Sequence, residues 1–381
     1  GYNINLILLK KFVYKIILLK QFGFINIVFK FFIMLVRLVM LCFLFSLTNF
    51  SKAQFNADAV NPVLMQNKKQ LGNEAVLMVY KDGKVIYKKK TDDYYDERAQ
   101  TPIGSASSWL TAVLIMQYIE NGTITLDTKI ADYIPIYIPY LKKYITIGHC
   151  LAQLTGIDFK KSASSSKEAS KFNSLEEMVN SYAKKEIRAN TGSDFWYAEM
   201  HINIAARVIE VITKKKFEQL ISKNVIKPLG MKGTSFSPSG GGCPNPAAGA
   251  VSTANDFANF LSMIMNKGMF NGKQILKEET INTMLTVTYT PSMVTYMPKA
   301  AENFEYGLGA WILEKDINNK PAVFGTTNFE GIWCVIDKCR NYGMILFTKK
   351  ELSDARKDVF YTLKNVIDEQ LPPTNGTSCN N

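Results

Sequence analysis

The stretch TPIGSASSWLTAVLIMQYIENGTITLDTKIADYIP, residues 101–135, holds the most informative part of this sequence. From Ser105 to Ile119 it is an almost uninterrupted apolar run, which predicts a helix buried on most of its sides. The run opens with Ser-Ala-Ser-Ser, and such a cluster by itself is typical of serines that cap a helix N-terminus. Ser105 and Ser108 are three residues apart, so both side chains lie on one face of the first helical turn.

The segments on either side of this helix predict strands at both ends of the chain and helices between them. Residues 75–90 read as two strands around Asp82-Gly83, which is a hairpin signal. Further helices are predicted at 174–185, 200–223 and 252–266, then strands near 307–314, 321–326, 331–337 and 342–348, and a last helix at 352–370. This order predicts an α+β fold in which a sheet is interrupted by a helical insertion.

Composition excludes several classes of protein. A chain of 381 residues with 47% hydrophobic and 20% charged residues is a folded chain rather than a disordered one. The net charge is +12, but the first 53 residues carry seven basic residues and no acid, and the remainder holds 38 basic against 33 acidic residues. Nucleic acid is therefore not an expected partner. His149 and His201, the two histidines, lack metal-ligand spacing, so we expect neither a metal nor a cofactor.

The N-terminal residues predict export. The composition of residues 1–33 is typical of a translation of AT-rich DNA that lies upstream of the gene. Residues 34–53 are interpreted as a signal peptide that is cleaved after Ser51-Lys52-Ala53. An alternative is a membrane anchor within residues 23–47. Both place the rest outside the cytoplasm, in the periplasm or the extracellular space. Five cysteines remain after the signal, an odd number, so at least one is free or pairs between chains.

Five segments in sequence order together resemble the β-lactamase-related serine hydrolases: class C β-lactamases, D-alanyl-D-alanine carboxypeptidases and EstB-like esterases. In that family the nucleophilic serine opens a buried helix as S-x-x-K. Here Ser105 matches the serine, and Ser108 stands at the lysine position. The other similar segments are FWYAEMHINIAARVIEVITKKKFEQLISKNVIKPLGMKGTSF (195–236), AAGAVSTANDFANFLSMIMNKG (247–268), YGLGAWI (306–312) and FGTTNFEGIWCVID (324–337).

The resemblance covers about residues 55–370 and implies a serine β-lactamase/penicillin-binding transpeptidase-like fold. In that fold an antiparallel sheet is flanked by helices and carries an inserted helical subdomain. The domain would span residues 54–371, with the sheet from 54–100 and 300–371, the helical region at about 101–299, and a flexible tail at 372–381.

The resemblance also implies roles for site residues. Tyr197 matches the tyrosine that shuttles the serine proton, while Glu199 replaces the asparagine of Y-x-N and brings a negative charge that would raise the pKa of the phenol. Thr326, Asn328 and Phe329 stand at the substrate-binding third motif, where the family has Lys, His or Ser before x-Gly. Ser105 and the segment near Asn328 and Phe329 would supply backbone donors to an oxyanion.

The expected function is an exported serine hydrolase acting on amide or ester bonds through an acyl-Ser105 intermediate. Its activity would be impaired, and its substrate a small molecule or peptide, such as one derived from the cell wall. Glu199 could act as the base instead of a lysine. The alternatives are an inactive relative that binds a peptidoglycan peptide or similar ligand, and a membrane-anchored scaffold if residues 1–47 are retained. His149 and His201 are expected to pack rather than catalyse.

Overall fold

The computed structural model describes residues 8–18, 20, 30–37, 40, 55–159, 169–238, 241–327, 331–352 and 356–374. The chain divides into two compact units, residues 1–54 and residues 55–381. In the first unit residues 8–18 and 30–37 are helical. Among the described residues, no helix has the length and apolar character needed to cross a bilayer. The predicted signal peptide and the predicted tail lie largely outside the described residues.

The second unit is built on a seven-stranded antiparallel sheet that joins the two ends of the chain. Its strands in chain order are β1 (Ala75–Lys81), β2 (Lys84–Lys90), β9 (Glu305–Tyr306), β10 (Trp311–Lys315), β11 (Pro321–Thr327), β12 (Trp333–Asp337) and β13 (Tyr342–Thr348). They lie side by side in the order β2-β1-β13-β12-β11-β10-β9. Ala75 of β1 pairs with Thr348 of β13. This pairing joins the N-terminal hairpin to the C-terminal strands in one sheet.

The β1–β2 hairpin turns at Asp82 and Gly83, whose φ angles of +50° and +81° are those of the tight hairpin turn that the Asp-Gly pair predicts. Six short strands lie outside this sheet and form three pairs. They are β3 (Thr101–Pro102) with β5 (Val251–Ser252), β4 (Phe195–Trp196) with β8 (Val294–Tyr296), and β6 (Met269–Phe270) with β7 (Lys273–Gln274). The pair β4–β8 is parallel.

Nine α-helices flank the sheet or make up the inserted region. They are α1 (Ala57–Gln66), α2 (Ser107–Glu120), α3 (Ile147–Leu151), α4 (Leu175–Ala183), α5 (Met200–Thr213), α6 (Phe217–Ile221), α7 (Ala254–Met265), α8 (Glu278–Met284) and α9 (Lys357–Gln370). This count covers only the described part of residues 55–374. The predicted fold class, an antiparallel sheet with flanking helices and a helical insertion, is confirmed.

The predicted single helix over 200–223 is wrong. Helix α5 ends at Thr213, because Lys214 takes a left-handed conformation with φ +55°. A second helix, α6, begins at Phe217, and a π-helical turn follows at Ser222–Ile226. The buried Glu210 side chain accepts a hydrogen bond from the Phe217 backbone N–H at 2.7 Å, which fixes the break.

Helix α2 is held at the centre of the domain by aromatic packing and by one close backbone approach. The Trp109 ring contacts Phe260 of α7 edge-on at 4.9 Å between ring centroids and Phe324 of β11 at 6.4 Å. Gly309, with φ +98°, approaches so closely that a Cβ there would lie 2.2 Å from Cβ of Ala112. Helix α2 is therefore fixed against the sheet and the segment that precedes β10.

The cysteines of the domain are mostly buried thiols. Cys150, Cys243 and Cys334 are buried and free, and Cys339 is disulfide-bonded. The odd number predicted that at least one cysteine is free or pairs between chains, and three free cysteines are found among the described residues.

Candidate active site

Ser105 lies on a 3₁₀ turn, Gly104–Ala106, immediately before helix α2. Its side-chain hydroxyl donates a hydrogen bond of 3.1 Å to the backbone carbonyl of Thr327, the last residue of β11. The residue is 9% exposed, so little of it is open to solvent. The structure therefore places the serine hydroxyl between the start of a buried helix and the C-terminal end of strand β11.

Ser108, in the first turn of α2, binds a neighbouring loop. Its hydroxyl donates to the Ala247 carbonyl at 2.9 Å. Two neighbouring hydroxyls bind the same loop: Ser107 accepts from the Ala250 N–H at 3.1 Å, and Thr111 donates to the Pro246 carbonyl at 2.6 Å. Ser108 therefore helps to hold residues 246–250 on the helix and supplies no positive charge to Ser105.

Tyr197 is placed beside Ser105 by the short parallel pair β4–β8. Its backbone N–H donates to the Tyr296 carbonyl at 3.0 Å, and its ring contacts Trp311 and Tyr306 at centroid distances of 4.9 and 5.5 Å. The residue is partly exposed, yet burial around the phenol raises its pKa well above the usual range. The charges of Tyr306 and Glu199 raise that pKa further, while hydrogen bonding with Ser105 and Trp311 lowers it.

Glu199 immediately precedes helix α5, where the helix dipole favours a carboxylate. Its Oε2 accepts a hydrogen bond from Asn245 Nδ2 at 3.3 Å. Asn203, one turn into the helix, accepts the Ala247 N–H at 2.9 Å through Oδ1. Arg207 forms ion pairs with Glu176 and Glu210. Asn245 was not predicted, and it links Glu199 to the loop that Ser108 holds.

Gln153 is a second site residue that the sequence analysis missed. Its Oε1 accepts the Ala198 N–H at 2.8 Å, and its backbone carbonyl accepts the Trp196 N–H at 3.2 Å. The residue is 1% exposed and takes φ +65°, an unusual angle for glutamine. Gln153 thus fixes the backbone on both sides of Tyr197. The only signal in the sequence was its place in the stretch ITIGHCLAQLTGI, residues 145–157.

The third motif is described only in part. Thr326 and Thr327 lie on β11 and are almost fully buried, and Thr326 pairs with Cys334 of β12. Asn328 and Phe329, the predicted backbone donors, lie outside the described residues. The described part shows that the carbonyl of Thr327, and not a charged side chain, faces the Ser105 hydroxyl.

Both histidines lie in the helical region. His149 Nδ1 accepts the Thr146 N–H at 3.2 Å and so caps helix α3, while burial lowers its pKa. His201, in the first turn of α5, is 1% exposed, and neither ring nitrogen has a hydrogen-bond partner among the described residues. No group of three or more His, Cys, Asp or Glu side chains that could hold a metal is found in the described part of the chain.

The assembled site can present a serine hydroxyl to a carbonyl carbon, with a phenol next to it and a carboxylate nearby. A phenol accepts the serine proton only as phenolate, and with an ordinary pKa near 10 about one in a thousand is ionised at pH 7. The raised pKa of Tyr197 makes that fraction smaller. The site therefore places a nucleophilic hydroxyl beside a phenol that is almost always protonated at pH 7.

Comparison with known proteins gives one family and a consistent set of neighbours. The model of the family described as "Beta-lactamase" matches residues 66–365. A curated relative, Protein flp from Staphylococcus aureus, is 26% identical over 172 residues, which are 42% of this chain and 34% of that protein. The chain spans about a third of the length of the curated relatives it matches.

Solved structures agree on the fold. A suspected β-lactamase from Bacteroides dorei superposes with a TM-score of 0.73 at 20% identity, covering 82% of this chain and 99% of that one. EstCE1, a hydrolase with promiscuous acyltransferase activity, gives a TM-score of 0.67 at 18% identity and covers 82% and 98% of the two chains. At these identities the likeness concerns the fold.

Proposed function

Because the chain belongs to the beta-lactamase family, we propose that it is a serine hydrolase-type protein that acts on amide or ester bonds. The observation that carries the proposal is the placement of Ser105, whose hydroxyl contacts both Tyr197 and the C-terminal end of β11. A β-lactamase-type protein and an acyl-transferring hydrolase among the structural neighbours support the choice of amide or ester substrates. The substrate is a small molecule or a peptide, such as one derived from the cell wall.

The proposed reaction has two steps. Ser105 Oγ attacks the carbonyl carbon of the substrate, its proton passes to the Tyr197 oxygen, and the amine or alcohol leaves with a proton returned from Tyr197. Water then attacks the acyl-Ser105 ester, the acid is released and the Ser105 hydroxyl is restored. Tyr197 is the proton carrier in both directions, so its protonation state sets the rate.

The proposed activity is weak, since the lysine position holds Ser108 and no ammonium there activates the phenol of Tyr197. Loss of a positioned general base costs about 10²–10⁴ in rate. Here Ser108 is a neutral donor to Ala247, and both burial and the charge of Glu199 hold the phenol of Tyr197 protonated. Backbone donors and positioning would sustain the residual turnover. Glu199 acting directly as the base is the competing hypothesis within this mechanism, and retained turnover in Glu199→Gln would exclude it.

The test is the intact mass of the protein after exposure to a penicillin and, separately, to a fluorophosphonate. We expect slow formation of an adduct on the unaltered chain, none on Ser105→Ala, and faster labelling of Ser108→Lys. The lysine variant is the matched control, because it restores the missing ammonium without changing Ser105.

A non-catalytic ligand-binding protein is the second candidate, and the use of the Ser108 hydroxyl as a loop anchor favours it. In that case the cleft would bind a peptidoglycan peptide or a similar ligand without reaction. The unaltered chain would form no adduct, and Ser108→Lys alone would be labelled. Saturable binding of a muropeptide stem to Ser105→Ala and to the unaltered chain with equal affinity would support it.

We also propose that the domain acts outside the cytoplasm, on the basis of the N-terminal sequence. The measurement is the N-terminus of the mature chain. An intact mass that begins at Gln54 fits cleavage of a signal peptide, whereas retention of residues 1–53 on membranes fits an anchored form.

A further inference from the structure

An exposed group of apolar side chains lies in the segment between α2 and α3. Within residues 138–144, which we call the tip, four large apolar side chains are exposed: Ile138 by 50%, Tyr140 by 38%, Leu141 by 77% and Tyr144 by 62%. Large apolar side chains scattered singly on a surface are ordinary, but a contiguous group marks an interaction site. The tip plays no part in the proposed catalysis.

The tip is held in place by buried residues at its two ends and by one buried lysine within it. Tyr137 and Ile145 are fully buried, and the Tyr137 hydroxyl donates to the Val179 carbonyl of α4 at 2.9 Å. Lys142 turns inward, is 3% exposed, and its ammonium donates to the carbonyls of Ala183 at 2.9 Å and Lys185 at 2.7 Å. The backbone of the tip is therefore held in one conformation, and in that conformation the four apolar side chains are exposed.

Leu141 adds a conformational argument. Its φ is +60°, in the left-handed region that glycine and asparagine adopt readily and that disfavours a bulky side chain. A leucine there gives the folded state little packing, because 77% of the residue is in contact with solvent. Strain combined with exposure is typical of residues that serve binding and not folding.

The charges that face solvent near the tip are basic by a small excess. Segments 132–145 and 184–186, which the Lys142 contacts bring together, contain four lysines and two acids. Because the Lys142 ammonium is turned inward, three lysines and two acids are left to face a partner. The Lys143 ammonium lies over the Tyr144 ring, 5.1 Å from its centroid. Tyrosines with an apolar body and a polar end, next to lysines with long apolar stems, are the side chains that suit the headgroup region of a bilayer.

We infer that the tip is a membrane-docking surface that inserts Leu141 and its tyrosine neighbours into the headgroup region of an anionic lipid bilayer. The area of the tip disfavours a second copy of the chain as its occupant. A stable protein interface buries about 800 Å² on each side, and four partly exposed side chains offer about half of that when a whole tyrosine presents ~200 Å². Shallow insertion needs no such area, since apolar burial and lysine attraction add.

The experiment measures co-sedimentation of residues 55–381, which form a compact unit of their own, with two kinds of vesicle. One kind is phosphatidylcholine alone and the other contains phosphatidylglycerol as well. We expect the partition coefficient on the anionic vesicles to fall about tenfold in Leu141→Asn, because a leucine loses its apolar burial. It should fall about fivefold in Lys143→Gln, and binding to phosphatidylcholine alone should be weaker throughout.

The matched control is Ile317→Asn, which removes another strongly exposed apolar side chain, 67% exposed, from the turn between β10 and β11. It should leave vesicle binding unchanged. Leu141→Asn should melt no lower than the unaltered domain, since asparagine relieves the left-handed strain. Equal partition of Leu141→Asn and the unaltered domain would overturn the inference. So would a dimer, found by analytical ultracentrifugation, that Leu141→Asn dissociates while vesicle binding is absent.

Discussion

His201 provides a test of how the helical region is packed. Burial, assisted by the charge of Arg188, lowers the pKa of the imidazole to about 3, and neither of its nitrogens has a hydrogen-bond partner among the described residues. In the unfolded chain a histidine titrates near pH 6.5. The unfolded state therefore binds a proton that the folded state does not, and the domain loses stability as the pH falls below 6.5.

The size of the effect follows from the two pKa values. Between pH 7.5 and pH 5 the unfolded state gains about 2 kcal/mol from protonation of this one side chain. For a domain of about 330 residues, whose entropy of unfolding is ~0.7 kcal/mol/K, that corresponds to about 3 °C in melting temperature. The contribution continues to grow until the pH approaches 3.

The assay compares the melting temperatures of the unaltered domain and His201→Leu at pH 7.5 and at pH 5. Leucine keeps an apolar side chain of similar size within the helix, and the difference between the two pH values removes any constant effect of the substitution. We expect His201→Leu to lose about 3 °C less on acidification. His149→Asn is the comparison variant: burial lowers the pKa of His149 as well, so this variant should also lose less on acidification, but by a smaller amount than His201→Leu because His149 keeps a hydrogen-bond partner. Equal losses in His201→Leu and the unaltered domain would refute the assigned burial.

Three further predictions concern other parts of the domain. The rate of Ser105 labelling by a fluorophosphonate should rise about tenfold per pH unit from pH 7 to pH 9, since burial raises the pKa of Tyr197; a flat profile, or the same slope in Tyr197→Phe, would show that another group accepts the proton. Ser108→Ala should cost about 1 kcal/mol of unfolding free energy by removing the donor to Ala247, measured by urea unfolding, with the labelling rate unchanged. Lys142→Met should cost about 3 kcal/mol in the same assay because two carbonyls lose their donor, and a loss below 1 kcal/mol would contradict that role.

Local patterns predicted those elements whose shape depends on neighbours in sequence. The Asp82-Gly83 pair predicted the β1–β2 hairpin, because few residues other than asparagine, aspartate and glycine accept the positive φ angles of that turn. The apolar run predicted helix α2, since a helix that is apolar on all its sides must be buried. The break after Thr213 was missed, because Lys214 gives no sign in the sequence that it takes a left-handed conformation.

The sequence also predicted which side chains would carry the chemistry of the site. Ser105, Tyr197, the neutral Ser108 and the acidic Glu199 could be named from the motif positions alone. Their partners could not. Gln153 and Asn245 belong to segments that carry no catalytic motif, and they became site residues only because the fold brings them to the backbone of Ala198 and the carboxylate of Glu199.

The sequence by itself determined the main arrangement of strands at both ends and helices between them, the antiparallel α+β class through its motifs, and the side chains available for chemistry. Only the tertiary structure decided what those side chains touch. Ser105 meets a carbonyl 222 residues away, and Ser108 meets one 139 residues away. The physical reason is that periodicity records which face of an element is buried, whereas the choice of partner across that face depends on how all the elements pack together.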